Sequence, residues 1–365
     1  MRIALITTNL SGGGAEKALL NLAGLLEKRG HELVLFLLEH IVLHPPTESL
    51  KIHALTEPGC RSSKGFFGKR LSAFRLRRFI GREKPFDLVI STLPYADEVV
   101  TLARLPSHAN VWFRIANTLS AEVKELPRAK AMRRLARYRR LYQGKQLIAV
   151  SEGVAADLRD NLGFASSRIV ALYNPFDFTA IRRLAAKYAP DLPAFPYVIH
   201  VGRFAAAKRH DLLFAAWKLA RPVHKLVLLT PPDPQLDALI ADFGLANQVI
   251  VAGFKANPYP WIKHADLLVL CSDREGMPNV LVEALVCGTP VVSSDCPSGP
   301  SEVLSGDLKR FLVPMNDPAA LAKAIKMVLA KPMRITAADD VNLSRFAAED
   351  VAAGYEALAK SGRSQ

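Results

Sequence analysis

Short apolar runs alternate with stretches of helical periodicity along nearly the whole chain, and this alternation limits the fold more than any single motif does. Residues 2–7 read as a strand and glycines 12–14 as a turn. Ala18, Leu19, Leu22, Leu25 and Leu26 then recur at helical spacing over 15–29, before Gly30 stops the helix. Further strands are predicted at 31–38, 88–92, 111–115, 146–150 and 169–172. Short apolar strands separated by helices form a mostly parallel sheet covered on both faces. After Asn174-Pro175 a polar, proline-bearing stretch runs to Pro196, and the pattern restarts. Strands are predicted at 198–202, 226–230, 249–251, 267–271 and 290–294, with a helix over 212–220. The expectation is an α/β chain of two doubly wound, Rossmann-like domains facing each other, 1–175 and 176–345. With 365 residues, each has enough chain to bury a sizeable core. Doubly wound sheets bind ligands at the carboxyl ends of their strands, so the expected site is a cleft between the domains.

The most informative stretch is Glu275-Gly276-Met277-Pro278-Asn279-Val280, continuing through Glu283 to Gly288 and Pro290. Pro278 suits a first helical turn and Gly288 with Pro290 supplies a stop, so a helix is predicted to begin just after Gly276. The amides of Met277, Asn279 and Val280, with the positive end of the helix dipole, could serve a diphosphate or sugar hydroxyls. Glu283 leans back toward the helix start, within reach of a ribose, while Glu275 would face the sugar. The blander alternative makes Glu275 a capping acid and Glu283 a solvated position, although Val280, Leu281, Ala284 and Leu285 around it are apolar.

Val201-Gly202-Arg203 with Lys208 and Arg209 follows another strand. A planar guanidinium and a compact ammonium can together neutralise a pyrophosphate and stabilise it as a leaving group, or simply form an exposed basic loop. A third segment, Ser11 to Glu16, places Gly13 and Gly14 after the first strand, where backbone amides could approach a ligand. It lacks the Gly-x-Gly-x-x-Gly pattern, and Glu16 also reads as an acid favoured by the helix dipole.

Lys and Arg outnumber Asp and Glu by 48 to 34, a net +14, which implies polyanionic company without naming it. The excess concentrates in 61–82 and 124–145, where cations interleave with Phe74, Phe79, Met132 and Tyr138. Helical spacing would put apolar residues on one side and cations on the other, able either to lie on anionic lipid or to pack on their own domain. A nucleic-acid partner would fit the charge, but no reading motif accompanies it. No apolar run approaches the ~18 residues of a membrane span. Cys60, Cys271, Cys287 and Cys296 lack metal-ligand spacing and read as reduced, buried thiols of a cytosolic protein. The histidines show no zinc-like spacing and no Asp-x-Asp pair occurs, so neither cofactor nor metal is expected.

Taken together, these residues resemble glycosyltransferase family 4, with its GT-B fold. The similarity is strongest over 254–304, including Ala265-Asp266, Ser272, the glutamates eight positions apart, and Asp295 to Glu302. The resemblance implies that Arg203 and Lys208 bind the donor diphosphate and Glu283 the ribose. Glu275 and the backbone from Gly276 to Val280 would hold the transferred sugar, and Gly13 and Gly14 would approach the phosphate. It further implies retention of the anomeric configuration, an acceptor-binding first domain joined by a returning helix at 346–365, and a donor-binding second domain. The expected reaction moves a hexose or N-acetylhexosamine from a UDP-sugar to a glycan acceptor, lipid-linked or a lipopolysaccharide or surface-polysaccharide precursor. It would occur in the cytoplasm, with a peripheral position at the inner membrane face. Many family members carry a His where Ala116 stands here, so no catalytic His is carried over. Arg114 and Asn117 remain candidates on the acceptor side. A nucleotide-sugar epimerase on the same architecture is the rival reading; it would need no second sugar.

Overall fold

The computed structural model describes residues 1–11, 13–43, 46, 49–106, 109–331 and 343–361. The chain divides into two compact units, Met1–Pro175 with Phe346–Gln365, and Phe176–Arg345.

Unit 1 contains β1 (Arg2–Thr7), α1 (Gly14–Lys28), β2 (Glu32–Leu37), β3 (Lys51–Ala54), α2 (Phe66–Ile80), β4 (Leu88–Thr92) and α3 (Pro94–Ala103). It continues through β5 (Val111–Ile115), α4 (Leu119–Lys124), α5 (Arg128–Tyr142), β6 (Gln146–Ala149), α6 (Glu152–Ala156) and β7 (Arg168–Ala171). Among the described residues its sheet has seven strands in the order β3-β2-β1-β4-β5-β6-β7, paired in parallel. All five residues of β4 are buried, as expected of a strand covered on both faces.

Unit 2 runs through α7 (Phe178–Ala185), β8 (Tyr197–Val201), α8 (His210–Ala220), β9 (Lys225–Leu229), α9 (Pro234–Asp242), β10 (Val249–Val251) and α10 (Tyr259–His264). There follow β11 (Leu267–Leu270), α11 (Asn279–Val286), β12 (Val291–Ser294), α12 (Pro300–Val303), β13 (Leu312–Val313) and α13 (Pro318–Ala330). Its parallel sheet, six-stranded among the described residues, is ordered β10-β9-β8-β11-β12-β13. A last helix, α14 (Ala348–Ser361), belongs to unit 1. Its Val351, Ala352, Tyr355, Leu358 and Ala359 join Leu19, Leu22, Leu26, Ile3 and Leu5 in one core. Residues 362–365 of the expected returning helix lie outside the described residues.

One element was not anticipated, and one expectation needs correction. The stretch between Pro175 and Pro196 carries α7, begun by the Asp177 side chain accepting the Ala180 amide at 2.8 Å. The cysteines are not uniformly buried: Cys271 and Cys296 are, Cys287 is half-buried and Cys60 is exposed.

Candidate active site

The strand order of unit 2 reverses between β8 and β11, with β9 and β10 on one side and β12 and β13 on the other. Connections leaving such neighbours diverge to opposite faces and open a crevice at their carboxyl ends. Residues 202–209 follow β8 and residues 271–278 follow β11, and polar contacts stitch these loops together. The Asp273 amide donates to the Ala207 carbonyl at 2.9 Å. The Arg209 guanidinium donates to Asp211 and Asp273, both at 2.9 Å, and to Asn316. Arg209 therefore holds the loops in place, whereas Arg203 is exposed.

The residue before Arg209 reaches across to the other loop. Lys208 Nζ donates to Glu275 Oε1 at 2.6 Å, and Ser272 Oγ donates to the same oxygen at 2.7 Å. Ser294 on β12 fixes this corner by donating to the Ser272 carbonyl at 2.9 Å. A cation, a carboxylate and a hydroxyl thus converge beside the start of α11. Gly202 lies alongside the lysine, where even a Cβ would make only ordinary contact, 3.5 Å from His200 Nε2 and 3.6 Å from Lys208 Cε. His200, bonded through Nδ1 to the Val269 carbonyl at 2.9 Å, packs edge-on against His210. Burial pushes His200 down to about 3 and His210 to about 4, with the Lys208 charge adding to it, so both are neutral near pH 7.

Helix α11 starts later than its sequence suggests. Pro278, with ψ 80°, caps the helix instead of entering its first turn. The Asn279 amide, expected to face a ligand, is engaged locally with the Met277 carbonyl at 3.0 Å. The stop is as expected. Gly288 takes φ 83°, its amide bonds the Leu285 carbonyl at 3.0 Å, and Thr289 bonds Ala284 at 2.9 Å, closing the helix end with paired backbone bonds. Within the helix Glu283 is buried and accepts the Tyr259 hydroxyl of α10 at 3.1 Å, so the solvated-position reading does not hold. Gly276, Met277 and Pro278 are buried, Asn279 and Val280 half-buried.

In unit 1 the order reverses between β1 and β4, and the glycine segment follows β1. Gly13 caps α1, and a Cβ on it would lie 2.2 Å from Glu16 Oε2. The bare glycine leaves room for the buried Glu16 carboxylate to fold back over the helix start, where a negative charge is favoured. Gly14 opens the helix and is exposed; Gly12 of the same motif lies outside the described residues. Arg114, 1% exposed on β5, donates to Asn174 Oδ1. A guanidinium so placed ties β5 to the chain just before Pro175. Half-buried Asn117 accepts the Thr118 amide through its own side chain at 3.0 Å. Unit 1 thus gathers the glycine segment and Glu16, and unit 2 gathers Lys208, Glu275 and the start of α11. Among the described residues no group of three or more His, Cys, Asp or Glu is arranged to hold a metal ion.

Two supporting residues escaped the sequence reading. Tyr259 sits 24 positions from Glu283 and meets it only through the packing of α10 on α11. Gly299, at φ 98°, presses on the site loop: a Cβ would be 2.3 Å from Pro278 Cδ and 3.2 Å from the Gly276 carbonyl. Its only signal was its place in the Asp295 to Glu302 segment.

Two family models match the chain, one described as Glycosyltransferase Family 4 over residues 12–180 and one as Glycosyl transferases group 1 over residues 195–331. The chain is 30% identical over 182 residues to the N-acetylgalactosamine-N,N'-diacetylbacillosaminyl-diphospho-undecaprenol 4-alpha-N-acetylgalactosaminyltransferase of Campylobacter jejuni, covering 49% of each chain. It is 27% identical over 198 residues to the lipopolysaccharide 1,6-galactosyltransferase of Escherichia coli, covering 52% of this chain and 53% of that one. These matches therefore span about half the length of the curated relatives. Among solved structures, Anabaena HepE in complex with UDP and glucose superposes with a TM-score of 0.74 at 18% identity, over 99% of this chain and 100% of the other.

Proposed function

Because this chain belongs to the group 1 glycosyltransferases, with two Rossmann-like units of the GT-B class, we propose that it transfers a hexose or N-acetylhexosamine from a UDP-sugar to a glycan acceptor, with retention and without a metal ion. The observation that carries this reading is the convergence of Lys208, Glu275 and Ser272 where the strand order of unit 2 reverses, beside the start of α11.

In this reading the donor diphosphate lies against Lys208, Arg203 and the Val280 amide near the start of α11. As the glycosidic bond breaks, charge accumulates on the leaving diphosphate. Lys208, half-buried and held by Glu275, and the exposed Arg203 stabilise that charge, a role metal ions take elsewhere. At an effective dielectric of 20, a unit charge about 4 Å from either cation gains ~4 kcal/mol before desolvation is counted. Glu283, oriented by Tyr259, receives the ribose hydroxyls. Glu275 exchanges Lys208 for the hydroxyls of the transferred sugar, and Gly276 to Val280 complete its cradle. Within unit 1, Gly13 and Gly14 serve the donor and Glu16 the acceptor. The acceptor attacks the face the leaving group departs from, and the departing phosphate takes its proton.

The activities of these relatives, one on a diphospho-undecaprenol glycan and one on lipopolysaccharide, support a lipid-linked or surface-polysaccharide acceptor, and the UDP in HepE supports the donor. We place the reaction in the cytoplasm, at the inner membrane face.

Thermal stabilisation by a panel of UDP-sugars tests the donor site. A cognate donor at 100 times its dissociation constant should stabilise by about 2.7 kcal/mol. Lys208→Ala and Glu283→Ala should abolish the shift while each protein still unfolds cooperatively without donor. Shifts that persist in both variants would remove the site from this location.

A further inference from the structure

The two basic runs bury opposite kinds of face once folded. In α5 the apolar residues Tyr138, Leu141 and Tyr142 are buried, Arg134 pairs with Glu122 and Arg137 with Glu98. Arg128, Lys130, Arg133, Arg139 and Arg140 line its exposed face beside Met132. That is a helix packing its own apolar side inward. Helix α2 does the reverse. It buries Ser72, Ala73 and Leu76 where it packs on α3, tucks Phe79 against His53, and turns Phe66, Phe67 and Phe74 outward. Phe67 is 83% exposed, Phe74 63% and Leu71 50%. Positions 67, 71 and 74 share one stripe of a helix, so these are a continuous ridge and not scattered side chains. Phe66, 64% exposed, extends it at the amino end, with Arg70 stacked on its ring at 4.5 Å.

The charges are arranged around that ridge, not opposite it. By helical geometry Arg70 and Arg77 flank one side and Arg75 the other, with Arg78 continuing the stripe. Helix α2 contains no acidic residue. Glu98 of α3 neutralises Lys69 on the inward side of the ridge and is shared with Arg137. A ridge of large apolar side chains fringed by guanidinium groups matches a surface that is oily within and anionic at its rim.

We propose that the outward face of α2 docks on an anionic lipid bilayer, with Phe67, Leu71 and Phe74 entering the acyl boundary and Arg70, Arg77 and Arg78 meeting lipid phosphates. This deepens the proposed function, on which the membrane setting rests, by assigning insertion to α2 alone. Helix α5 contributes at most long-range attraction.

Co-sedimentation of the full chain with vesicles tests it, using phosphatidylcholine alone or mixed with phosphatidylglycerol. Binding to the mixed vesicles, weakened by salt and absent from the neutral ones, is expected. The triple variant Phe67→Ser, Leu71→Ser, Phe74→Ser should bind more than about tenfold more weakly. Arg133→Ser with Arg140→Ser on α5 should change binding by less than about threefold at 0.15 M salt. Phe74→Trp should show a blue-shifted emission on the mixed vesicles. Failure to bind the mixed vesicles, undiminished binding by the triple variant, or self-association that the triple variant abolishes would each overturn the proposal. UDP-sugar stabilisation measured on the same samples keeps the readings apart. If it persists while vesicle binding fails, only the docking face falls; if it fails while vesicles bind, only the donor site does.

Discussion

Gly299 shows how a residue that offers no functional group can still govern a site. Its φ of 98° is one that side-chain-bearing residues rarely adopt, and a Cβ would collide with a proline ring that cannot swing away. Gly299→Ala should therefore push Pro278 and Gly276 out of place. Donor binding should weaken by tenfold or more, roughly 1.4 kcal/mol, with a smaller loss in melting temperature. Titration of donor against the variant and the parent checks this, and equal affinities would contradict it. The types of the site residues were legible at this scale because Lys, Arg and Glu have few roles after a strand or before a helix. Their contacts were not. The Lys208–Glu275 bond joins residues 67 apart in sequence, and nothing local signals that the cation meets the carboxylate.

At the scale of elements, α14 binds the chain's end to unit 1. Its core residues pack with those of α1, and its charged side is latched as well. Arg29 Nε meets Glu356 Oε1 at 2.7 Å and His31 Nε2 meets it at 2.8 Å. The Arg29 hydrogen bond, then that of His31, holds the Glu356 carboxyl down at about 2. A carboxyl with a depressed folded value stabilises fully above its unfolded value, near 4.5, and loses that contribution as pH falls through about 2. Glu356→Gln should make the acid limb of the stability profile shallower between these limits. It should not flatten the limb, because Glu83, paired chiefly with Lys51, titrates in the same window. Urea titrations at stepped pH measure this; an unchanged limb would show that the latch contributes nothing. Most strands were readable because burial on both faces makes them plainly apolar. The missed elements lack that signature. Strand β3 is a half-exposed edge with only Ile52 and Ala54 apolar, and β13 spans two residues. Helix α7 buries just Ile181 and Ala185, one turn apart, beneath a polar surface.

For the whole molecule, chain order and fold order differ. Unit 2 is one uninterrupted segment, whereas unit 1 is assembled from two segments separated by it. Residues 176–345 expressed alone should fold cooperatively and retain UDP-dependent stabilisation, since Lys208, Glu275 and Glu283 all lie within them. Residues 1–175 alone expose the apolar groove that α14 fills and should be poorly soluble, recovering when a 346–365 peptide is supplied. Differential scanning fluorimetry of the two fragments decides the matter. A segment 176–345 that fails to melt cooperatively would show that its core is insufficient by itself.

The bond from Lys208 to Glu275 has a bearing on selectivity. A bare anion arriving there must pull the lysine from its neighbour and strand a carboxylate in a partly dehydrated corner, an exchange with little net gain. A molecule bearing hydroxyls next to its phosphates satisfies both members at one stroke. As the proposed donor site, the corner would be self-quenching, discounting orthophosphate and similar small ions without setting aside any group to repel them.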